Sequence, residues 1–376
     1  MTLTEREASA PLTQHRVLVS ADAHGGAPLG ELEGVFRRIE RSDADGAESF
    51  AAMRAPRLAS DEDGLNRSPQ VLPEDRLKEM ERDGVSAEVI YGSTGLLPDE
   101  TLADGIKRCQ QVNDWMADTY KNHLDIMAPS ISLPLPSQGI GRLSPEPPDL
   151  TDDMVRAAAD EIKRCAANGM RPGLVPDTSR IGFNHPMWNP VWEAACEVDI
   201  PLSFHAGFGT NPHQTRNPGG AVSNFVTVAA TIIKSVTQLC ASGVFETFPQ
   251  LQCIFTETGA GWLAWTMWQM DEAAVVHKQW VKPKLQQPPS EYCRNNIVAT
   301  FQEDPIGLRN RDYTGLKSLM WGSDYPHYEG TWPRSQQVVQ DLFAGIPEDE
   351  VDQIVHRNAA QAFKFKIPGV DSNRRL

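Results

Sequence analysis

The stretch RVLVSADAH, residues 16–24, begins as a short apolar run and ends in two polar side chains, Asp22 and His24. The same arrangement recurs along the chain, where short runs rich in β-branched residues are closed by Gly, Pro, Asp or His. Continuous apolar runs of this length are typical of strands buried on both faces of a parallel sheet. Eight strands are therefore predicted: Arg16–Ala21, Ser86–Tyr91, Ile126–Leu133, Met170–Val175, Ile200–Phe204, Leu251–Thr256, Ile297–Phe301 and Lys317–Trp321.

Helix-like segments separate these strands. Such alternation fits either a closed (β/α)₈ barrel or an open doubly wound sheet. No GxGxxG motif follows the first strand, and polar strand ends converge on one face only in a barrel. We therefore predict an α/β fold, a (β/α)₈ TIM barrel with a long inserted loop after strand one and a C-terminal helix. The predicted helices are Pro73–Asp83, Glu100–Asn122, Thr151–Asn168, Asn189–Val198, Asn224–Phe245, Gly261–His277, Gly307–Arg311, Gln336–Ala344 and Pro347–Phe363.

The length of 376 residues suits one large barrel with insertions, so residues 1–376 are predicted to form a single domain. The connection from Gly25 to Leu72 is long and rich in Gly, Asp, Glu and Arg, and long connections of this kind are commonly functional. We interpret residues 25–72 as a lid over the barrel mouth. Lys282–Ser290 is rich in Pro and is interpreted as a connector ahead of strand seven.

The composition excludes some partners. The net charge is −15, from 35 basic and 50 acidic residues, which argues against nucleic acid. The N-terminus has no apolar h-region, and polar residues interrupt the most apolar stretch, so neither secretion nor a membrane span is expected. Six cysteines without a CxxC pair indicate reduced thiols in a cytoplasmic protein. The segment Asn224–Phe245 is apolar around most of its circumference, which favours a homodimer interface or deep packing.

Four polar residues end three of the predicted strands. Asp22 and His24 are two residues apart on one strand, so their side chains point to the same side. His205 ends the fifth strand, and Asp324 follows the eighth. In a barrel these donors meet at one mouth and form a site for one divalent metal ion, Zn²⁺ by default with Mn²⁺ as the alternative. Each has an ordinary alternative: an exposed strand end, a hydrogen-bonded core histidine or an Asx-turn.

Further candidates lie near the same strand ends. Arg171, at strand four, could bind a substrate carboxylate through its planar, forked guanidinium group. His213 and His327 follow strands five and eight and are predicted to reach the substrate, with loop surface as the alternative. Three tryptophans are candidates to flank an aromatic ring, with ordinary core packing as the alternative: Trp188, Trp321 and Trp332.

Several phrases together resemble the amidohydrolase superfamily, in particular the amidohydrolase-related (amidohydrolase 2) branch that includes metal-dependent aromatic-acid and semialdehyde decarboxylases. The resemblance extends from about Val17 to Phe363. It implies that His24 and His205 are metal ligands, that Asp22 takes the first position of the strand-one motif, and that Asp324 binds metal and can move protons. The phrases are VSADAH (19–24), GVSAEVI (84–90), PLSFHAG (201–207), FPQL (248–251) and WGSDYP (321–326).

The chain departs from this family pattern at two positions. Strand four reads Met170-Arg-Pro-Gly173, without the bridging lysine of binuclear relatives, which implies a single metal ion. The end of strand six reads Thr256-Glu-Thr-Gly259, where many relatives place a histidine before two glycines. We expect Glu257 to take over the role of that histidine in hydrogen bonding or proton transfer. A structural pairing of Glu257 with a neighbouring arginine is the alternative.

The resemblance and the ligand set together favour nonoxidative decarboxylation of an aromatic or unsaturated carboxylic acid. Asp324 or Glu257 would deliver the proton to carbon, which requires one of the two carboxyls to be neutral. The alternative is a metal-dependent hydrolase of an amide, lactone or C–C bond, with Asp324 as the base. A third possibility is a catalytically idle scaffold in which these residues are incidental. The first two imply a small-molecule substrate.

Overall fold

Eight parallel strands form the centre of the molecule. The computed structural model describes residues 15–25, 72–92, 100–137, 149–177, 180–207, 218–327 and 329–367. Within these ranges each strand pairs in parallel with the next one along the chain. The third strand is in two pieces, of which the first pairs with the second strand and the other with the fourth. The strands are β1 (Val19–Ser20), β2 (Ala87–Ile90), β3 (Met127–Pro129 and Ile131–Ser132), β4 (Gly173–Leu174), β5 (Leu202–His205), β6 (Cys253–Thr256), β7 (Ile297–Phe301) and β8 (Leu319–Trp321).

Hydrogen bonds also join the first strand to the last. Ala21 N donates to Trp321 O at 3.1 Å, and Asp324 N donates to Asp22 O at 2.8 Å. Ala23 and Tyr325 form a parallel bridge just beyond the two strands. The fold is therefore the predicted α/β (β/α)₈ TIM barrel, and the residues that follow β1 and β8 lie side by side at its mouth.

Helices surround the strands. Two of them, Pro73–Asp83 and Asn189–Val198, have the predicted bounds. Thr101 and Thr151 cap their helices by accepting from backbone N–H groups three residues on. The helices are α1 (Pro73–Asp83), α2 (Leu102–Tyr120), α3 (Asp152–Ala166), α4 (Asn189–Val198), α5 (Gly220–Ala241), α6 (Val244–Thr247), α7 (Gly261–Val276), α8 (Pro289–Asn296), α9 (Pro305–Arg309), α10 (Arg311–Thr314), α11 (Ser335–Leu342), α12 (Glu348–Asp352) and α13 (Asn358–Ala362), with 3₁₀ turns at Pro186–Trp188 and Leu316–Ser318 and a π-helical turn at Gln353–Arg357.

The structure corrects the interpretation of Lys282–Ser290 as connector only, because α8 begins at Pro289, where proline fits the first helical turn. The predicted lid, residues 25–72, lies outside the described residues except for its two ends. None of the helices in the described ranges combines the length and apolar character needed to cross a membrane.

The apolar core fills the space between the strands and the helices. Trp188 and Trp192 stack there with ring centroids 5.6 Å apart, and Phe183 packs against both. All six cysteines are free; five are buried and Cys196 is partly buried. Burial raises the pKa of the Cys109 thiol to about 12, so it stays protonated in the folded protein.

Candidate metal centre

The residues predicted to bind metal meet at the mouth of the barrel. His205 Nε2 lies 3.2 Å from Asp22 Oδ1, and His24 Nε2 lies 3.1 Å from Asp324 Oδ1. His24 Nε2 is also 3.6 Å from Asp22 Oδ1. Both aspartates and His205 are buried, and His24 is nearly so. Strands β1, β5 and β8 therefore bring their polar ends into one compact group, as the barrel requires.

Glu257 and His327 join this group from the ends of β6 and β8. His327 Nδ1 lies 2.8 Å from Asp324 Oδ1, and Glu257 Oε2 lies 3.5 Å from His205 Nδ1. Glu257 and Asp324 have φ angles of 59° and 56°, in the left-handed region that side chains other than Gly rarely adopt. Such backbone strain is common at functional sites. The six side chains form two overlapping groups of four that share His24 and Glu257, one with Asp22 and His205 and the other with Asp324 and His327, and within each group the possible ligand atoms lie within 4.8 Å of one another.

Two observations show that these residues fit a divalent cation. Asp22 Oδ2 and Asp324 Oδ2 are buried and have no hydrogen-bond partner among the described residues. His205 Nδ1 lies 2.7 Å from the carbonyl oxygen of Ala206, which can only accept, so Nδ1 carries the proton. The lone pair on Nε2 then faces the carboxylate of Asp22. A lone pair and an anion are stable face to face only with a cation or a proton between them.

Comparison with known proteins identifies the family of the chain. A family model described as Amidohydrolase matches residues 70–365. The chain belongs to the amidohydrolase family. It is therefore a metal-dependent enzyme of the decarboxylase or hydrolase type.

Solved structures with this amidohydrolase fold cover nearly the whole chain. 5-Carboxyvanillate decarboxylase from Sphingomonas paucimobilis is 20% identical, with a TM-score of 0.68 over 93% of this chain and 99% of its own. 2,6-Dihydroxybenzoate decarboxylase from Rhizobium is 19% identical, with a TM-score of 0.64 over 93% and 99%. Dihydroxybenzoic acid decarboxylase from Polaromonas sp. JS666, with bound manganese and 2-nitroresorcinol, is 17% identical, with a TM-score of 0.64 over 93% and 97%. A search of curated proteins found no match.

The side chains of the amidohydrolase site have pKa values that are shifted by burial and by one another. Burial raises the pKa of Asp22 to about 6 and, together with Asp324 and Asp22, raises that of Glu257 well above its usual value. Burial also acts to raise the pKa of Asp324, but hydrogen bonds with His24 and His327 lower it. Burial and the nearby His327 lower the pKa of His24 to about 3. A bound cation favours ionised carboxylates and neutral imidazoles, so metal binding would release protons from this group.

The pKa of His327 is shifted in the opposite direction from that of His24. Burial lowers its pKa, but the hydrogen bond to Asp324 and the negative charges of Asp324, Glu329 and Asp22 together outweigh that effect and raise the pKa to about 9. Its side chain is 41% exposed, whereas Asp324 is fully buried. His327 therefore connects a buried carboxylate with solvent.

Sequence reasoning missed the hydroxyl groups that support the ligands. Tyr91 packs edge-on against His205, with ring centroids 4.7 Å apart, and its hydroxyl lies 3.1 Å from Thr256 Oγ1. Ser20 Oγ contacts Ser323 Oγ at 3.0 Å and accepts from Ser323 N at 2.8 Å, which ties β1 to the residues after β8. Tyr91 could have been found, because it ends the second predicted strand. A lone serine carries no comparable signal.

The structure does not bring Arg171 to the site. This arginine precedes β4, at the opposite end of the barrel from the ligands, and its guanidinium is surrounded by backbone carbonyls. The predicted role in binding a substrate carboxylate is corrected accordingly, because its donors are already occupied. The carbonyls belong to Gly169 (2.7 Å), Leu124 (3.0 Å), Lys364 (3.2 Å) and Phe363.

The tryptophan candidates are also placed away from the ligands. Trp188 is fully buried in the core against Trp192, and its Nε1 donates to Ile181 O at 3.3 Å. Trp332 is buried behind the mouth, packed on Tyr325 with ring centroids 5.3 Å apart. These contacts replace the predicted ring-flanking role with core packing. Trp321 is likewise fully buried, and His213 lies outside the described residues.

Proposed function

We propose that this enzyme catalyses metal-dependent, nonoxidative decarboxylation of an aromatic or unsaturated carboxylic acid. The observation that carries the proposal concerns the carboxylates of Asp22 and Asp324: in each, Oδ1 faces the Nε2 atom of a histidine, and the buried Oδ2 has no hydrogen-bond partner among the described residues. The near full-length structural relatives named as aromatic-acid decarboxylases support the choice of reaction. We assign Asp22, His24, His205 and Asp324 as the ligands of one divalent cation.

The chemistry that a bound cation supplies is an electrostatic clamp for the substrate carboxylate and an adjacent oxygen. The proton for the carbon atom comes from the protein. Glu257 lies beside His205 and has a pKa raised by burial and by two neighbouring carboxylates, so its Oε atoms are suited to hold that proton. Asp324 is the other candidate, but its hydrogen bonds with His24 and His327 lower its pKa, so it is better suited to accept a proton, and His327, at 2.8 Å, holds the neighbouring proton.

The donor set suits Zn²⁺ and Mn²⁺ almost equally. Imidazole nitrogen favours Zn²⁺, whereas two or three carboxylates extend the range to Mn²⁺. We retain Zn²⁺ as the first assignment. The related Polaromonas enzyme with bound manganese makes Mn²⁺ the necessary comparison. Elemental analysis after loading the chelated protein with each metal should count one ion per chain, and two per chain would contradict the mononuclear assignment.

The experiment that tests the reaction is release of CO₂ from a panel of hydroxybenzoates by the metal-loaded protein. The chelated protein serves as the control. A parallel panel of amides and lactones tests the alternative, hydrolysis with Asp324 as the base, since the same ligands serve both reactions. Release of CO₂ that requires metal supports the proposal. Hydrolysis without CO₂ release would reverse it.

We also propose that the enzyme is a cytoplasmic homodimer. The interface predicted over Asn224–Phe245 corresponds to α5 and the start of the following helix. Large apolar side chains remain exposed on α5, on α7 and just after α7, and soluble monomers seldom expose large apolar patches. Light scattering should show a dimer, and a strict monomer would contradict the proposal. The exposed side chains include Val222, Val226, Trp265, Trp268 and Trp280.

A further inference from the structure

Arg76, on α1, is a completely buried arginine outside the ring of ligands. Its side chain is 0% exposed. Nη1 donates to the carbonyl oxygen of His24 at 2.7 Å, and Nε donates to Glu88 on β2. Arg76 thus bonds directly to the backbone of a proposed metal ligand, although it does not face the mouth with the ligand side chains.

The same guanidinium also contacts the end of the last strand. Its central carbon lies 4.4 Å above the ring centroid of Tyr325, which is buried. Tyr325 directly follows the proposed ligand Asp324, and its carbonyl accepts from His24 N at 2.6 Å. One side chain therefore joins the chain segments after β1 and β8 to β2.

Burying this ion pair needs an explanation. Both Arg76 and Glu88 are almost without solvent contact, and taking two charges out of water costs several kcal/mol per ion before their attraction is counted. Replacement of such pairs by apolar residues is often neutral or stabilising, so a buried pair is weak evidence for a role in stability. The contacts that Arg76 makes are to the backbone of His24 and to the ring of Tyr325, which follows Asp324, so the pair lies where it can affect the spacing of these two proposed ligands.

We propose that Arg76 is a positioning residue for the metal centre: with Glu88, it sets the distance between the His24 and Asp324 ligands from its buried position on α1. The inference rests on the proposed metal site. Arginine suits this role because its planar fork donates in two directions while its face stacks on an aromatic ring. A lysine could keep the charge and one hydrogen bond, but it could not make all three contacts together.

The test uses two variants of the full chain, Arg76→Lys and the double variant Arg76→Met/Glu88→Leu. The double variant removes both charges of the pair together, so it should fold. Metal affinity is measured by titrating the chelated proteins with Zn²⁺ and with Mn²⁺, and the apo melting temperature is recorded in parallel. Groups that orient metal ligands typically contribute 10–100-fold to affinity, so we expect both variants to bind metal about tenfold or more weakly.

The matched control is the buried pair Arg108–Glu100, whose side chains are each 6% exposed and which lies at the start of α2. Arg108→Met/Glu100→Leu should change the apo melting temperature without changing metal affinity. Wild-type metal affinity in Arg76→Lys, or in the folded Arg76→Met/Glu88→Leu protein, would overturn the proposal for Arg76. Failure of the wild-type protein itself to bind either metal would instead overturn the proposed metal site, so the two failures are distinguishable.

Discussion

The two ends of the barrel use polar residues in opposite ways. At the mouth, one buried carboxylate oxygen each of Asp22 and Asp324, Oδ2, has no hydrogen-bond partner among the described residues. At the opposite end, the buried guanidinium of Arg171 donates to four backbone carbonyls, from Leu124 to Lys364. The mouth leaves polar atoms available for a ligand. At the opposite end, polar atoms form the hydrogen bonds that hold the segment containing Phe363 and Lys364 against the strands.

The position of a polar residue relative to its strand therefore matters more than its type. Residues that follow a strand reach the mouth, where barrel enzymes place their chemistry, whereas residues that precede a strand contribute to stability. Arg171 precedes β4 (Gly173–Leu174) by two residues, whereas Asp22 follows β1 (Val19–Ser20) by two.

The largest effect is expected from removing ligands at the mouth. His205→Ala and Asp324→Asn should each reduce turnover by about 10³-fold or more, because each removes a proposed ligand of the cation and, for Asp324, a proposed proton-transfer group. The apo proteins should melt close to the apo wild type. A melting temperature far below it would make these residues structural, and the exposed His277→Ala should leave both quantities unchanged.

Glu257→Gln should have the next largest effect. Glutamine has nearly the same shape but cannot supply a proton, so turnover should fall by roughly 10²–10⁴-fold while metal content stays at one ion per chain. Single-turnover rates and elemental analysis measure the two quantities separately. Reduced metal content would make Glu257 a ligand, and a wild-type rate would make it a bystander. Glu272→Gln, exposed on α7, is the matched control.

Arg171→Met should affect the other end of the barrel only. Loss of its hydrogen bonds leaves buried carbonyls unpaired, so the free energy of unfolding in urea should fall by about 2–4 kcal/mol. The kcat and KM values should stay within about twofold of the wild type. If KM rose without a loss of stability, Arg171 would bind substrate after all and the contrast between the two ends would fail. Arg156→Met, exposed on α3, controls for the loss of a positive charge.

The smallest effect concerns Asp83, which ends α1 beside the segment preceding β2. Burial raises its pKa to about 6, while Ser335 donates to it from N at 2.8 Å and from Oγ at 2.6 Å. A raised carboxyl pKa means that the folded state holds the proton more tightly than the unfolded state. Stability from this group is therefore present at pH 4 and lost as pH rises through 6.

Asp83→Asn removes that pH dependence. We compare the free energy of unfolding of the variant with that of the wild type at each pH. The difference, variant minus wild type, should be about 2 kcal/mol more positive at pH 7.5 than at pH 4. The comparison requires urea titrations of both proteins at the two pH values. A constant difference would show that Asp83 has an ordinary pKa in the folded protein.

Much of this architecture could be predicted from the sequence because it depends on local patterns. The apolar runs gave the strand order, and Pro73 and Pro190 near helix starts helped to fix two helices at their observed bounds. The group at the mouth could be predicted because a closed ring of strands forces Asp22, His205 and Asp324 together whatever their separation in sequence.

What could not be predicted depends on contacts between distant segments. Trp188 has an aromatic side chain of the kind that can flank a substrate ring, and only its stacking on Trp192 shows that it belongs to the core. Arg171 looked available because its carbonyl partners at 363 and 364 lie almost two hundred residues away. Arg76 gave no signal, since a charged residue on an amphipathic helix is ordinarily solvent-exposed.

Because its cysteines are buried, the rate at which their thiols react reports the local unfolding of this protein. Burial raises the thiol pKa values of Cys109, Cys165, Cys240 and Cys253, and a protonated, enclosed thiol reacts slowly with alkylating reagents. These four cysteines are distributed over α2, α3, α5 and β6. The order in which they become labelled under mild denaturant would therefore show which sector of the barrel separates first, without the need to introduce any probe.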